Sequence, residues 1–135
     1  MNILFQGDAL GKLVLRLTLG LLILLHGVAK VMNPARTLDS TGGLLAAAGL
    51  PAFLAYGVFV GEVLAPIFII LGIYSRIGGL IVVINMIFAV LLVHATQLFS
   101  LTKAGGWALE LQGFYLLTGV ALFFLGSGKI AVKPD

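Results

Sequence analysis

The sequence predicts an all-α integral membrane protein: four spanning helices in a bundle, with a short interfacial or re-entrant helix between the first two. Three observations predict it. The 135 residues are 61% hydrophobic and 10% charged, and the mean hydropathy is +1.19; a soluble domain of this size could not cover its surface with so few polar side chains. Four segments each supply the roughly 20 apolar residues that a bilayer core of about 30 Å requires. Only Tyr-Ser-Arg separates the second segment from the third, which forces antiparallel neighbours. A single domain over residues 1–135 is the expectation at this length.

The first span is LVLRLTLGLLILLHGVAKVM, Leu13 to Met32. It is long and has no A-x-A-like cleavage site well placed behind it, so it reads as a retained helix and not a signal peptide. Ahead of it LFQG, Leu4 to Gly7, resembles part of a viral 3C-type protease site. The usual proline does not follow, and coincidence is the preferred reading. The linker Asn33 to Pro51 opens with Asn-Pro. Asp39, Ser40 or Thr41 is expected to cap a short helix over GLLAAAG, with Gly49 as its stop and Pro51 opening the second span.

That second span is AFLAYGVFVGEVLAPIFIILGI, Ala52 to Ile73. Gly57, Gly61 and Ala65 form a small-xxx-small ridge for close helix packing. Pro66 cannot donate to the carbonyl of Glu62, so a kink and a free backbone acceptor are expected there. The third span, IGGLIVVINMIFAVLLVHA, runs from Ile77 to Ala95 without a formal charge, and Asn85 is expected to bond between helices. The connection TQLFSLTKAGGW ends in Trp107, an interface anchor by type. The fourth span is ALELQGFYLLTGVALFFLG, Ala108 to Gly126.

Charge and composition narrow the function. Eight basic against five acidic residues include no basic run suited to nucleic acid, and that partner is set aside. The absence of cysteine removes disulfides, thiolate metal sites and dithiol redox chemistry. An even number of spans puts both termini on one side, with Lys12, Arg16, Arg76, Lys129 and Lys133. The other side has Lys30, Arg36 and Lys103. The bias points to cytoplasmic termini.

Five ionisable side chains lie in or at the edge of the spans away from that face: His26, Lys30, Glu62, His94 and Glu110. At 1.5 Å per residue, Glu62 is roughly 15 Å down and His26 roughly 8 Å; Lys30, His94 and Glu110 are within about 5 Å of the rim. Helical side chains lean toward their own N-terminus, so the bases of spans one and three and the acids of spans two and four point into one layer. A connected cluster is expected. By depth, Glu62 suits His26, and Lys30 suits Glu110 or His94. Glu62 is the strongest functional signal, because a carboxylate near the midplane is costly unless a cation stands beside it. Lys30 and Arg16 also read as snorkelling cations. His26 and His94, without further spacing signals, do not make a haem or metal site.

The elements LRLTLGLLILLHGVAK, AAAGLP, GEVLAPIFIILGIYSR, VLLVHA and GWALELQGFYLL, in this order, give the chain a resemblance to the DoxX family of small bacterial four-helix membrane proteins. The resemblance covers about Leu13 to Lys129 and falls on His26, Lys30, Glu62, Arg76, His94 and Glu110. It implies a quinone-linked redox role: the related DoxD subunit belongs to an archaeal thiosulfate:quinone oxidoreductase, and other relatives are linked to quinone or catechol stress. The expectation is a possible quinone-linked oxidoreductase subunit that binds a small molecule. Glu62, His26 and His94 would act as donors and proton relay, with Lys30 and Glu110 binding the quinone. Electrons would come from a partner redox subunit or a soluble partner, since no c-type haem or nucleotide motif is present. The competing expectations are an oligomeric, proton-coupled transporter and a non-catalytic membrane scaffold for a partner complex.

Overall fold

A computed structural model describes residues 7–135, so most of the LFQG match lies outside the described residues. Five helices follow in order: α1 (Asp8–Val31), α2 (Pro34–Ala47), α3 (Ala52–Leu71), α4 (Ser75–Val93) and α5 (Glu110–Leu125). Three of them, α1, α3 and α4, are long and apolar enough to cross a membrane. With 16 residues, α5 is shorter, about 24 Å. Its predicted start at Ala108 moves to Glu110, because the loop before it is tied down first. Trp107 Nε1 donates to the Leu98 carbonyl at 2.8 Å, and Thr102 N donates to Gly106 O at 2.7 Å.

The helix between the first two spans exists but begins earlier than expected. Pro34 stands in its first turn, where a missing N–H costs nothing and φ is pre-set. The Asn-Pro pair is thus a helix start, and Asp39, Ser40 and Thr41 are interior. Gly49 ends it as expected: its φ is +77°, and Leu50 N closes back onto Leu45 O at 2.9 Å.

The four long helices form a ring in which each packs chiefly on two neighbours: α1 on α3, α3 on α4, α4 on α5, and α5 back on α1. The α4–α5 pair is the most extensive. Gly79 and Gly119 explain why: each lies against the other's carbonyl, where a side chain would collide. The core between the helices is Leu19, Ile23, Ala65, Ile69, Val82, Met86, Tyr115 and Leu122. Leu21, Leu25, Leu91, Phe114, Leu117 and Phe124 stand exposed on the outside. A stable bundle leaves such side chains outward only where lipid covers them.

Arg16 does not snorkel. Its side chain is 1% exposed, and the guanidinium donates to four carbonyls: Ile69 (2.9 Å), Ile70 (2.9 Å), Ser127 (3.0 Å) and Ile130 (2.6 Å). Proximity to a span end suggested solvent, but four converging backbone acceptors supply a better solvation shell than the headgroup layer. Arg76 does the same for α5, donating to Phe123 O at 2.9 Å and Phe124 O at 2.8 Å. The segment after α5 is held there too, with Val132 N on Leu71 O at 2.9 Å and Lys133 N on Gly72 O at 3.1 Å.

Candidate ligand-binding site

The site is built on one stripe of α1. Arg16, Gly20, Ile23, Gly27 and Lys30 recur at spacings of four and three, so they share a face. That face packs on α3: Gly20 meets Ile70 and the Pro66 carbonyl, and Gly27 lies directly on the carbonyl of Glu62. Any larger residue at Gly27 would run into that carbonyl. The stripe ends at Lys30, whose Nζ donates to both carboxylate oxygens of Glu62, at 2.6 and 2.7 Å.

This pairing differs from the one expected by depth, which matched Glu62 with His26. The long stem of Lys30 leans back down α1 while Glu62 leans up α3, and the two tips close the gap that their Cα positions suggest. A second cause lies in α3. Around Pro66 the helix widens instead of simply kinking: residues Val60–Leu64 form a π turn, in which Ala65 N bonds to Val60 O five residues back. One extra residue in the turn reorients what precedes it. Gly61 receives the side chain of Asn85 from α4, and Glu62 turns to α1. Asn85 Nδ2 then donates to Glu62 Oε2 at 3.3 Å. Glu62 is buried, at 6% exposure, yet its carboxylate has three donated hydrogen bonds.

The pair forms part of the wall of two cavities. The polar one, of about 280 Å³, is lined by His26, Lys30, Glu62, His94, Gln112 and Tyr115 with the apolar Ile23, Met86, Ala89 and Leu111. The other, of about 400 Å³, lies between α2, α3 and α4 and is almost wholly apolar apart from Lys30, Glu62, Asn85 and Thr41. Both volumes are near the range of roughly 300–1,000 Å³ for small-molecule sites.

The structure therefore brings His26, Lys30, Glu62 and His94 to one cavity. His26 meets the Tyr115 ring of α5 edge-on, centroids 6.3 Å apart. His94 Nδ1 stands 2.9 Å from Gln97 Oε1, a contact in which Nδ1–H donates to the amide oxygen. Glu110 does not join the cluster. It is exposed, lines neither cavity, and its carboxylate lies against Gly106 in the loop. As the first residue of α5 it faces a positive helix end, which satisfies an acid without a cation partner. Gln112 and Tyr115 are lining residues that sequence reasoning passed over. A glutamine inside an apolar span was the signal for one. The phenol, on a residue that also reads as core or interface, gave none.

A family model, DoxX, matches residues 11–95, more than half of the chain. The chain belongs to the DoxX family. Two relatives extend the likeness beyond that stretch. One, in Bacillus subtilis (strain 168), is named "Putative oxidoreductase CatD" and is 29% identical over 93% of this chain and 86% of its own length. The other, in Haemophilus influenzae, is called "Uncharacterized protein" and is 31% identical over 87% of this chain and 84% of its own length. No solved structure matches. The DoxX match takes in His26, Lys30, Glu62, Asn85 and His94, while Gln112 and Tyr115 lie past its end. The apolar helices and the family together make this a membrane protein.

Proposed function

We propose that this DoxX protein binds a small oxidised organic molecule, a quinone above all, in the polar cavity and serves a quinone-linked redox reaction in the membrane. The observation that carries this reading is the buried Glu62 carboxylate held by Lys30 on the wall of a cavity that two histidines and a tyrosine also line. A quinone carbonyl accepts hydrogen bonds, and the ammonium of Lys30, the phenol of Tyr115 and either imidazole offer them. Reduction to the hydroquinone takes up two electrons and two protons. The Lys30–Glu62 pair and His26 are titratable groups beside the ligand, and His94 nearer the rim could resupply them. The electrons come from a partner redox subunit or a soluble reductant. The name of the Bacillus relative agrees with the redox class.

We further place both termini in the cytoplasm of a bacterial cell, on the five-to-three distribution of basic residues between the two faces. The cavity then lies in the outer half of the inner membrane.

Calorimetric titration of a chainless benzoquinone into the detergent-purified protein tests the reading. Saturable binding is expected, weakened about tenfold by Tyr115→Phe through loss of one hydrogen bond to the ligand. Absence of saturable binding, or full affinity in both Tyr115→Phe and Lys30→Gln, would remove the quinone from the polar cavity.

A further inference from the structure

The apolar cavity has no role in hydrogen bonding to a quinone head, yet it is the larger of the two and shares Lys30, Glu62 and Ala89 with the polar one. Its walls are Leu44 and Leu45 of α2, Val60 of α3, and Ile84 and Phe88 of α4. Of these Leu44, Val60, Ile84 and Phe88 are exposed on the lateral surface that lipid covers. The cavity is thus a groove that opens sideways to the bilayer, apolar except where it touches Lys30, Glu62, Asn85 and Thr41. A largely apolar trough that touches one ion pair matches a largely apolar molecule with one polar head.

We infer that this groove holds the hydrocarbon chain of the ligand, which enters sideways from the bilayer between α3 and α4, with its polar head at the Lys30–Glu62 pair that the groove shares with the polar cavity. The inference rests on the proposed quinone reading for the head alone; the chain is argued from the groove. It makes the substrate class a membrane-dissolved, chain-bearing amphiphile rather than a water-soluble molecule. A chain seated there removes Leu44, Val60, Ile84 and Phe88 from competition with mobile lipid tails, and it positions the head at the ion pair without further contacts.

Gly57 offers a clean test. It lines the groove, its backbone is ordinary right-handed helix (φ −59°), and a Cβ added there would meet no atom of a neighbouring element within 4 Å. Gly57→Leu therefore adds bulk to the groove from an open Cβ position, and Ile84→Trp adds it from the α4 wall. Two measurements are needed in liposomes of defined phosphatidylcholine, with affinities corrected for partition into lipid. The first compares a chainless benzoquinone with its decyl-chain analogue. The decyl compound is expected to bind the natural protein at least tenfold more tightly, and this advantage is expected to fall within about twofold in both filled variants while chainless binding is unchanged. An undiminished chain advantage in both variants would overturn the groove. The second uses a diazirine-bearing fatty alcohol, which has no quinone head. Crosslinks concentrated in residues 54–61 and 81–93 and lost in Gly57→Leu support the groove, even if neither quinone binds, in which case only the quinone head is refuted. Crosslinks spread evenly over the outer faces and indifferent to Gly57→Leu would mark ordinary lipid contact and end the proposal.

Discussion

Lys30, with its side chain 39% exposed, supplies the counter-charge for the buried Glu62 carboxylate, whose charge alone would be expensive there. Removing Lys30 leaves a carboxylate at 6% exposure with only the long bond from Asn85. Lys30→Met is expected to lower stability by about 2–4 kcal/mol, while the double variant Lys30→Met/Glu62→Met recovers much of that, because no buried charge is left behind. Thermal melting of the four-member cycle in one detergent measures it; additive losses would show that the two side chains do not act as a unit. Arg16 is a second such case. Arg16→Met leaves the Ile70, Ser127 and Ile130 carbonyls without their arginine donor, while Ile69 keeps Gly72 N, and is expected to cost about 3 kcal/mol or more. Arg16→Lys should rescue little, since one ammonium has three donors and lacks the planar fork that spans all four acceptors. Rescue to the natural melting temperature would contradict this account of the clamp. These two cations look alike in the sequence, near opposite ends of one oily helix. Their contrast with simple snorkelling was not legible there, because the carbonyls that Arg16 binds come from residues 53 to 114 positions away.

At the scale of elements, the spans and their order follow from hydropathy, since each needs only local apolar content. What did not follow was the path of the chain where hydrogen bonds are rearranged. The missing N–H of Pro66 announced a disturbance near Glu62, but nothing local distinguishes a kink from the π turn that turns Glu62 to α1. Pairing by depth therefore assigned the wrong base to Glu62 and included Glu110, which a straight-helix estimate cannot separate from the cluster. Two glycines on neighbouring elements make opposite predictions. Gly27→Ala drives a methyl into the Glu62 carbonyl and is expected to cost about 1–3 kcal/mol by pushing α1 off α3. Gly57→Ala meets open space in a helical backbone and is expected to be neutral or stabilising by up to about 1 kcal/mol. Melting curves of the two variants in one detergent compare them, and equal effects would mean that α1 and α3 are not in the close contact described.

For the whole molecule, the ring α1–α3–α4–α5 fixes which faces meet lipid and which line the cavities. Its orientation in the membrane rests on the basic residues alone. Cysteine placed at the exposed positions Lys103 and Lys129 and probed with an impermeant maleimide in intact cells is expected to label at 103 and not at 129. The reverse pattern would invert the topology and move the polar cavity to the inner half. The central claim is that a quinone sits against the Lys30–Glu62 pair, and photolabelling tests it most directly. An azidoquinone, illuminated in proteoliposomes, is expected to form adducts on the peptides carrying His26 to Lys30 and Gln112 to Tyr115, suppressed by excess unmodified quinone and greatly reduced in Glu62→Gln. Adducts confined to outward residues such as Leu21, Leu25 and Phe124, unaffected by competitor or by Glu62→Gln, would contradict it.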